Sequence, residues 1–192
     1  MIRVEDLQVT FNQGTPLENP VLRGLSLSIP KGQFVTVIGS NGAGKSTFLN
    51  VVSGEVGVQK GHVYLGEDDI TNWPVHRRAP HVARVFQDPL TGTCESLSIE
   101  ENLALAQART KTRNLSRAAK KAFRASFIAK LRTLQLGLEN RLTDKIGLLS
   151  GGQRQAVSLL MASLQPMKLL LLDEHTAALD PKTAKFILEL TD

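Results

Sequence analysis

The sequence predicts an α/β fold with a helical insertion, and two observations lead to this prediction. Apolar runs of strand length alternate with helix-like stretches at both ends of the chain, which is the pattern of an α/β sheet. Between them, residues 99–107 and 116–136 show helical spacing without an intervening strand. In such a sheet, ligands bind where the carboxyl ends of strands meet the amino ends of helices.

Short strands are predicted to dominate the N-terminal part of the chain. Residues 4–11 alternate loosely between apolar and polar side chains, and a strand resumes at 22–29 after the turn formers of 12–20. The apolar run 34–38 is predicted to be a strand that ends at a glycine-rich loop. Two further short strands are predicted at 63–65 and 84–86.

Helices are predicted at 45–53, 99–107, 116–136 and 150–164. In the third of these, Phe123, Phe127 and Leu131 lie four positions apart, and the basic residues fall on a different face. This spacing is typical of an amphipathic helix whose apolar side packs into a core. The run Leu169–Leu172 is typical of a buried strand in a parallel sheet.

The composition is that of one compact globular domain. The chain has 192 residues, of which 42% are hydrophobic and 21% are charged, and these values exclude a disordered or fibrous protein. No apolar run approaches the roughly 18 residues of a membrane span, and residues 1–6 lack the apolar core of a signal peptide. The single cysteine, Cys94, cannot form an internal disulfide. We therefore expect a cytosolic chain.

The net charge of +5 is unevenly distributed along the chain. Residues 102–138 contain nine basic residues and no acidic one, so the remainder has 14 basic against 18 acidic residues and a net charge of −4. A basic helical surface can attract nucleic acid, lipid headgroups or an acidic protein surface, and it can equally be a solvated helix face. The sequence leaves both interpretations open.

A phosphate-binding loop is predicted directly after the strand 34–38. Residues 39–46 read G-S-N-G-A-G-K-S between a predicted strand and a predicted helix, and this context favours a phosphate loop over an ordinary glycine turn. The glycines let backbone N–H groups converge on phosphates at the positive end of the helix dipole. Lys45 can follow the β and γ phosphates, Ser46 can ligate Mg²⁺, and Thr47 lies toward the α phosphate. The residues of this phosphate loop are Gly39, Ser40, Asn41, Gly42, Ala43, Gly44, Lys45, Ser46 and Thr47.

Two adjacent carboxylates follow the run Leu169–Leu172. A buried strand that ends in Asp173 and Glu174 delivers both to the carboxyl edge of the sheet. Asp173 is predicted to hold Mg²⁺ through water, and Glu174 to polarise an attacking water as general base. Taken alone, the pair would equally well be two solvated acids, but the phosphate loop elsewhere in the chain favours the catalytic interpretation.

A second cradle for anions is predicted at Leu149–Gln153 (LSGGQ), which we call the signature segment. Ser150 can cap the helix that follows, and the N–H groups of Gly151 and Gly152 can receive an anion. Since the phosphate loop already holds one nucleotide, the second cradle most simply serves a nucleotide bound to another copy of the protein. Taken alone, the segment would be a capped helix with a glycine turn.

In this order the motifs resemble the ATP-binding cassette of ABC transporters over nearly the whole chain. The matching residues are GSNGAGKS, Gln87 within VFQDP, LSGGQ, LLLLDE and the run Ala178-Leu179-Asp180. The resemblance implies a P-loop NTPase (ABC ATPase) fold with a mainly parallel sheet, an N-terminal antiparallel β subdomain and an inserted helical subdomain. It implies a nucleotide-binding core with the β subdomain at 1–86, a helical subdomain at 87–166 and a continuation of the core at 167–192.

The resemblance also implies roles for individual residues. The catalytic residues would be Lys45, Gln87 and Glu174, and the residues that hold Mg²⁺ would be Ser46, Gln87 and Asp173. In this family two cassettes close head to tail over two ATP molecules, and the residues that contact the partner's nucleotide would be Ser150, Gly151, Gly152 and Gln153. Phe11 would stack on adenine, where most relatives have tyrosine. Asp180 would communicate between the two nucleotide sites.

The chain departs from the family pattern in two places. His175 follows Glu174, where the family commonly has proline, and the segment DEHTAALDP resembles a bacterial subgroup linked to uptake of aromatic amino acids. The family also has a histidine that contacts the γ phosphate, after the strand that follows Asp180. The four histidines of this chain, His62, His76, His81 and His175, stand elsewhere. We therefore expect the 192-residue chain to bind ATP and Mg²⁺ but to hydrolyse ATP weakly.

The predicted function is that of the ATP-binding and hydrolysing subunit of an ABC transporter at the cytoplasmic face of the membrane, with bacterial amino-acid uptake favoured. The predicted partners are a second ATPase subunit, integral membrane permease subunits and, for an importer, a solute-binding protein. No nucleic acid is expected. The alternative is a soluble ABC-type ATPase that acts on nucleic acid or ribosomes, but the insertion is too short for a long coiled coil and only one cassette is present. Asp173 and Glu174 argue against a non-catalytic regulator.

Overall fold

The computed structural model describes residues 1–109 and 121–173, which fall into two compact units. Unit 1 comprises Met1–Val82, and unit 2 begins at Ala83. The first residues of the predicted helix 116–136, together with Glu174, His175 and Asp180, lie outside the described residues. Within the described ranges, no helix combines the length and the apolar character needed to cross a membrane.

Unit 1 is built on a four-stranded antiparallel sheet. Its strands are β1 (Ile2–Phe11), β2 (Asn19–Ile29), β3 (Lys60–Leu65) and β4 (Asp68–Asp69). The strand order is β2-β1-β3-β4, and every neighbouring pair is antiparallel. The strands predicted at 4–11, 22–29 and 63–65 are therefore confirmed, and each is longer than its sequence pattern indicated.

A bulge in β1 determines which of its side chains reach the core. The register with β2 shifts after Val4 and the register with β3 shifts after Glu5, and Asp6, between these residues and Leu7, adopts a positive φ of 47°. Because side chains alternate with a period of two, this irregularity allows Leu7 to be buried as well as Val4. The neighbouring backbone approaches so closely that a Cβ on Gly61 would lie 2.4 Å from the carbonyl oxygen of Asp6, so only glycine fits at that position.

The phosphate loop leads into helix α1 (Lys45–Ser53), and this predicted helix is confirmed. Its apolar side, which includes Val51 and Val52, is buried in unit 1. Gly54 ends the helix in the left-handed conformation, as C-terminal glycines commonly do. The short helix α2 (Val75–Arg78) follows the sheet and carries a buried arginine that contacts the end of α1.

That arginine, Arg78, is only 3% exposed and donates hydrogen bonds to four backbone carbonyls. Its Nη1 donates to the carbonyl oxygens of Val51 and Val52 at 2.6 and 3.0 Å. Its Nη2 and Nε donate to those of Thr71 and Trp73 at 2.8 and 2.9 Å. Burial lowers the pKa of Arg78, while the negative charge of Asp69 acts in the opposite direction. Arg78 therefore joins the C-terminal end of α1 to the segment that precedes α2.

The prediction of a strand at 34–38 is wrong for this structure. These residues have no regular secondary structure, and neither of the two sheets among the described residues includes them. Phe34 is 70% exposed and Ile38 is 90% exposed. An apolar run is stabilised as a strand only when neighbouring strands satisfy its backbone and cover its side chains. Here no described strand pairs with the run, so its apolar character alone does not produce a strand.

Unit 2 combines a helical layer with a two-stranded sheet. The helices are α3 (Ile99–Gln107), α4 (Lys121–Thr133) and α5 (Gly151–Ser163), with 3₁₀ turns at Leu138–Asn140 and Ile146–Leu148. The strands β5 (Val82–Val85) and β6 (Leu169–Leu172) are hydrogen-bonded neighbours, and β5 starts at the boundary of the two units. The predicted helices at 99–107 and 150–164 and the predicted strands at 84–86 and 169–172 are confirmed to within one or two residues.

Helix α5 lies at the centre of unit 2. On one side, its residues Val157 and Leu160 join a buried cluster that includes Leu103 of α3 and Phe127 of α4. On the other side, Leu159 packs with residues of β5 and β6. A helix that is buried nearly all round must be apolar on most of its faces, and α5 meets this condition after its first turn. The amphipathic spacing predicted for the insertion therefore builds a core, as expected.

Candidate functional site

The phosphate loop is a tight turn that depends on its glycines. Gly42 and Gly44 have φ values of 82° and 89°, a region that other residues rarely adopt. A Cβ on Gly39 would lie 3.0 Å from the Cβ of Ala43, and the N–H of Ala43 donates to the carbonyl oxygen of Ser40 at 3.1 Å. These contacts close the loop on itself immediately before the first residue of α1.

Lys45 places its charge at this loop. It is the first residue of α1, and its Nζ donates to the carbonyl oxygens of Gly39 and Ser40 at 2.8 and 3.2 Å. Gly44 is the N-cap residue, so no side chain caps the helix, and its first turn contains no acidic residue. The N–H groups of a first helical turn have no intrahelical acceptor. The loop therefore combines an ammonium group with the positive end of a helix dipole, which is a favourable environment for phosphate.

A mainly apolar cleft of about 360 Å³ lies beside the phosphate loop within unit 1. Val21 and Leu25 of β2 line it together with Ile38 and Phe48, and Gly44 and Lys45 belong to its wall. A Cβ on Gly44 would lie 3.0 Å from Cγ1 of Val21, so the loop approaches β2 closely. Phe11, the predicted adenine-stacking residue, is the last residue of β1 and is 38% exposed.

Asp173 is the buried acid at the end of β6. Its N–H donates to the carbonyl oxygen of Val85 at 3.1 Å, which fixes its backbone beside β5. Its Oδ2 accepts a hydrogen bond from Nη2 of Arg84 at 2.8 Å. The exposed fractions of the two side chains are 12% for Asp173 and 9% for Arg84. Sequence reasoning found Asp173 but missed Arg84, which no local motif marks.

Gln87 follows β5 as an exposed residue of an irregular segment. The residue before it, Phe86, is held by α5, since Nε2 of the buried Gln155 donates to the carbonyl oxygen of Phe86 at 3.3 Å. This contact joins the helix of the signature segment to the segment that carries Gln87. No local motif marks this contact, because only the fold buries Gln155 and brings it beside Phe86.

The signature segment begins α5 with a complete capping box. Oγ of Ser150 accepts from the N–H of Gln153, and Oε1 of Gln153 accepts from the N–H of Ser150. The N–H of Arg154 makes the first intrahelical bond, to the carbonyl oxygen of Ser150. Gly151 and Gly152 are thus the residues whose N–H groups have no acceptor inside the helix, and a Cβ on Gly151 would meet no atom within 4 Å. This end of α5 is open to an approaching anion.

The predicted site residues divide between the two units. Phe11 and the phosphate loop belong to unit 1, whereas Gln87, the signature segment and Asp173 belong to unit 2. Among residues 1–109 and 121–173, no group of three or more histidine, cysteine or acidic side chains could hold a metal ion. Mg²⁺ does not need such a group, because it is usually bound by one or two carboxylates together with phosphates and water. The hydroxyl of Ser46 and the carboxylate of Asp173 are oxygen ligands of the type that Mg²⁺ prefers.

Comparison with known proteins identifies the family. The family model described as "ABC transporter" matches residues 22–177. The chain belongs to the ABC transporter family. A tyrosine transport ATP-binding protein of Clostridioides difficile is 44% identical to this ABC cassette over 193 residues, with 100% of the chain and 76% of the relative covered. A phosphonates import ATP-binding protein of Rhodopseudomonas palustris is 32% identical over 204 residues, with 99% of the chain and 69% of the relative covered.

Longer relatives and solved structures extend this result. An ABC multidrug transporter of Aspergillus fumigatus is 34% identical over 186 residues, and the cassette spans 13% of its length. The dimeric, post-hydrolysis structure of the ATP-binding cassette MJ0796 bound to ADP and Pi superposes with a TM-score of 0.84 at 27% identity, covering 100% of this chain and 81% of that one. The predicted fold class, an ABC-type P-loop NTPase with an antiparallel N-terminal sheet, is confirmed.

Proposed function

We propose that this ABC cassette binds ATP at the phosphate loop and hydrolyses it to drive transport. The observation that carries the proposal is the position of the Lys45 ammonium, 2.8 Å from the carbonyl of Gly39 at the start of α1. When phosphates enter the loop, Lys45 would exchange its contacts with carbonyl oxygens for stronger ones with the charged phosphate oxygens. The phosphates would also accept hydrogen bonds from N–H groups of the first helical turn. The solved cassette that holds ADP and Pi supports this assignment.

The chemistry follows from the carboxylates after β6. Ser46, Gln87 and Asp173 supply oxygen ligands that fit Mg²⁺, and the ion would neutralise charge on the β and γ phosphates. Lys45 holds the same phosphates in place. Glu174, which lies outside the described residues, polarises the attacking water as general base. Phe11, which ends β1, would stack on the adenine ring.

The signature segment acts on the nucleotide of a second cassette. Ser150, Gly151, Gly152 and Gln153 form an open helix start in unit 2, and the phosphate loop belongs to unit 1. Two solved cassettes of this fold are dimers, which supports a head-to-tail pair with two shared sites. Asp180 would communicate between these sites. In this assembly residues 1–86 and 167–192 form the nucleotide-binding core, and 87–166 form the helical subdomain.

We assign the cassette to uptake of a solute, with an amino acid as the favoured cargo. The 44% identity to a tyrosine transport ATP-binding protein supports this class, whereas the similarity to phosphonate import and multidrug proteins shows how widely the cassette is used. The proposed partners are integral membrane permease subunits and a solute-binding protein. The cassette would then act at the cytoplasmic face of the membrane.

The experiment that tests the ATP site compares two lysine variants by isothermal titration calorimetry. Lys45→Met removes the ammonium from the phosphate loop and should weaken ATP binding at least tenfold, since a charge-assisted contact contributes about 1.5–3 kcal/mol. Lys31→Met removes an exposed charge from the turn before the apolar run and should leave the affinity unchanged. Equal ATP affinity for wild type and Lys45→Met would refute the assignment.

The shared site is tested with Glu174→Gln, which keeps the size of the side chain and removes the base. Size-exclusion chromatography with light scattering should show dimers that accumulate at saturating ATP, because hydrolysis no longer separates the pair. Monomers at saturating ATP would contradict the head-to-tail model. The expectation of weak turnover stays a prediction, and a steady-state ATPase assay of the 192-residue chain measures it.

A further inference from the structure

Arg84 and Asp173 form a deeply buried ion pair in unit 2. Nη2 of Arg84 lies 2.8 Å from Oδ2 of Asp173, and both side chains are about nine-tenths buried. The guanidinium also lies over the ring of Phe86, 4.6 Å from its centroid. The exposed pairs of unit 2, such as Arg141 with Asp144, lack this degree of burial. The ion pair with Asp173 and the contact with the Phe86 ring together hold the Arg84 side chain in this position.

The backbone of the two strands brings these groups together. The N–H of Asp173 donates to the carbonyl oxygen of Val85 at 3.1 Å, which places Asp173 beside the end of β5, the strand that carries Arg84. A carboxylate at this depth is costly unless a positive charge accompanies it. Arg84 supplies a positive charge at 2.8 Å from the carboxylate. Under the proposed function, Asp173 would also hold Mg²⁺, so a bound ion would bring a second positive charge to the same carboxylate.

We propose that Arg84 is a positioning residue that serves as the counter-ion of Asp173 until Mg²⁺ takes over this role. The inference rests on the proposed function, since it takes Asp173 as the carboxylate that holds the metal. The guanidinium holds the carboxylate in place through this hydrogen bond, and its positive charge opposes the binding of a second cation. Arg84 therefore sets how much Mg²⁺ strengthens nucleotide binding, and it does so without touching the nucleotide.

The charge and the hydrogen bond of Arg84 can be separated by substitution. Arg84→Gln keeps an amide donor for Asp173 but removes the charge, whereas Arg84→Lys keeps the charge without the planar fork. If the charge is what matters, Mg²⁺ should strengthen ATP binding more in Arg84→Gln than in wild type. If Arg84 contributed only packing, its replacement would destabilise the free and the ligand-bound protein equally. The effect of Mg²⁺ on ATP binding would then stay unchanged.

The test measures the Kd for ATP by titration calorimetry in excess EDTA and in excess Mg²⁺. The Kd in EDTA divided by the Kd in Mg²⁺ gives the factor by which Mg²⁺ strengthens ATP binding. Arg84→Gln should raise this ratio about tenfold above that of wild type, a size typical of coupling between two binding events. Arg84→Lys should keep the wild-type ratio. The matched control is Arg109→Met, which removes a half-buried arginine of unit 2 whose Nη2 donates to the carbonyl oxygen of Ala162, and it should also keep the ratio.

Thermal melting supplies a second readout. Without nucleotide, Arg84→Gln should melt below wild type because Asp173 loses its buried ion pair with Arg84, and Mg²⁺ with ATP should recover most of the difference. An unchanged Kd ratio in Arg84→Gln would overturn the inference. Should that variant fail to fold, Arg84→Lys decides alone, and a tenfold change in its ratio would overturn it.

The outcome also separates this inference from the proposed function. Asp173→Asn should abolish the strengthening of ATP binding by Mg²⁺. If wild type shows no such strengthening, or if Asp173→Asn retains it, the proposed metal site is wrong. If wild type shows it and Arg84→Gln matches wild type, only the role of Arg84 is wrong.

Discussion

Replacing Arg78 by methionine should destabilise unit 1 strongly, because this residue joins two segments through four hydrogen bonds. The guanidinium donates to the carbonyls of Val51 and Val52 at the end of α1, and to those of Thr71 and Trp73 before α2. Methionine keeps much of the apolar stem and donates none of these bonds. Gly54 packs against the same side chain, since a Cβ there would lie 2.9 Å from Nε of Arg78.

The magnitude follows from the hydrogen bonds and the burial. A hydrogen bond to a charged group contributes about 1.5–3 kcal/mol, but the four contributions are not additive, and releasing a guanidinium that is 3% exposed offsets part of the loss. We expect the free energy of unfolding to fall by about 3 kcal/mol. For a chain of this size, each kcal/mol lowers Tm by about 2–4 °C, so the shift should be near 10 °C.

The assay is thermal unfolding followed by circular dichroism, with Arg77→Met as the matched control. Arg77 is the adjacent residue of α2, is exposed, and lies over the ring of Trp73 at 4.2 Å from its centroid. Such an exposed cation–π contact contributes about 0.5–1 kcal/mol, so the control should lose at most a few degrees. Equal losses of Tm in the two variants would show that the four carbonyl contacts do not hold α1.

Three further predictions concern unit 2. Ser150→Ala removes a helix cap, so it should lower Tm by about 2–4 °C and, under the proposed function, abolish ATP-dependent dimers. The control Ser98→Ala breaks the equivalent capping box of α3, so it should lower Tm by the same amount and leave the dimers intact. Dimers that persist in Ser150→Ala by light scattering would count against the shared site. Gln155→Leu removes one hydrogen bond but also a buried oxygen without a hydrogen-bond partner, so the free energy of unfolding should change by less than about 1 kcal/mol. Gln155→Glu buries a charge and should lower the free energy of unfolding by about 3 kcal/mol. Equal losses in the two variants, measured by thermal unfolding, would contradict this. Hydrogen bonds from Ser98 lower the pKa of Glu101, so its contribution to stability is present above about pH 4.5 and is lost as the pH falls through the lowered pKa. Glu101→Gln should therefore flatten the fall of Tm between pH 5 and about pH 2, and a parallel fall in both proteins would refute this.

Sequence patterns located the elements whose signals are local. The phosphate loop follows from glycines and a lysine within nine consecutive residues, and its φ values match that requirement. Helix α3 starts and ends where its apolar spacing predicted, because Ser98 and Glu101 form a capping box three residues apart. The capping box of the signature segment has the same spacing, so it too can be found from the sequence. In each case, the partners lie within one turn of the chain.

The groups that sequence reasoning missed have partners far along the chain. Arg78 binds carbonyls up to 27 residues away, Gln155 binds one 69 residues away, and Arg84 meets a carboxylate 89 residues away. Nothing in the neighbouring sequence distinguishes these residues from exposed polar ones. Only the packing of α2 against α1, and of α5 against β5, makes them buried and paired.

The sequence by itself determined the phosphate loop, the capped helix starts and the membership of the ABC transporter family, because these depend on residue types at short, fixed spacing. Tertiary structure decided which apolar runs become strands and which polar groups are buried. The run 34–38 has strand composition but no hydrogen-bonded neighbour among the described residues, whereas the run 169–172 pairs with β5. The physical reason is that a strand, and a buried charge such as Arg84, is stabilised by groups that only folding brings beside it.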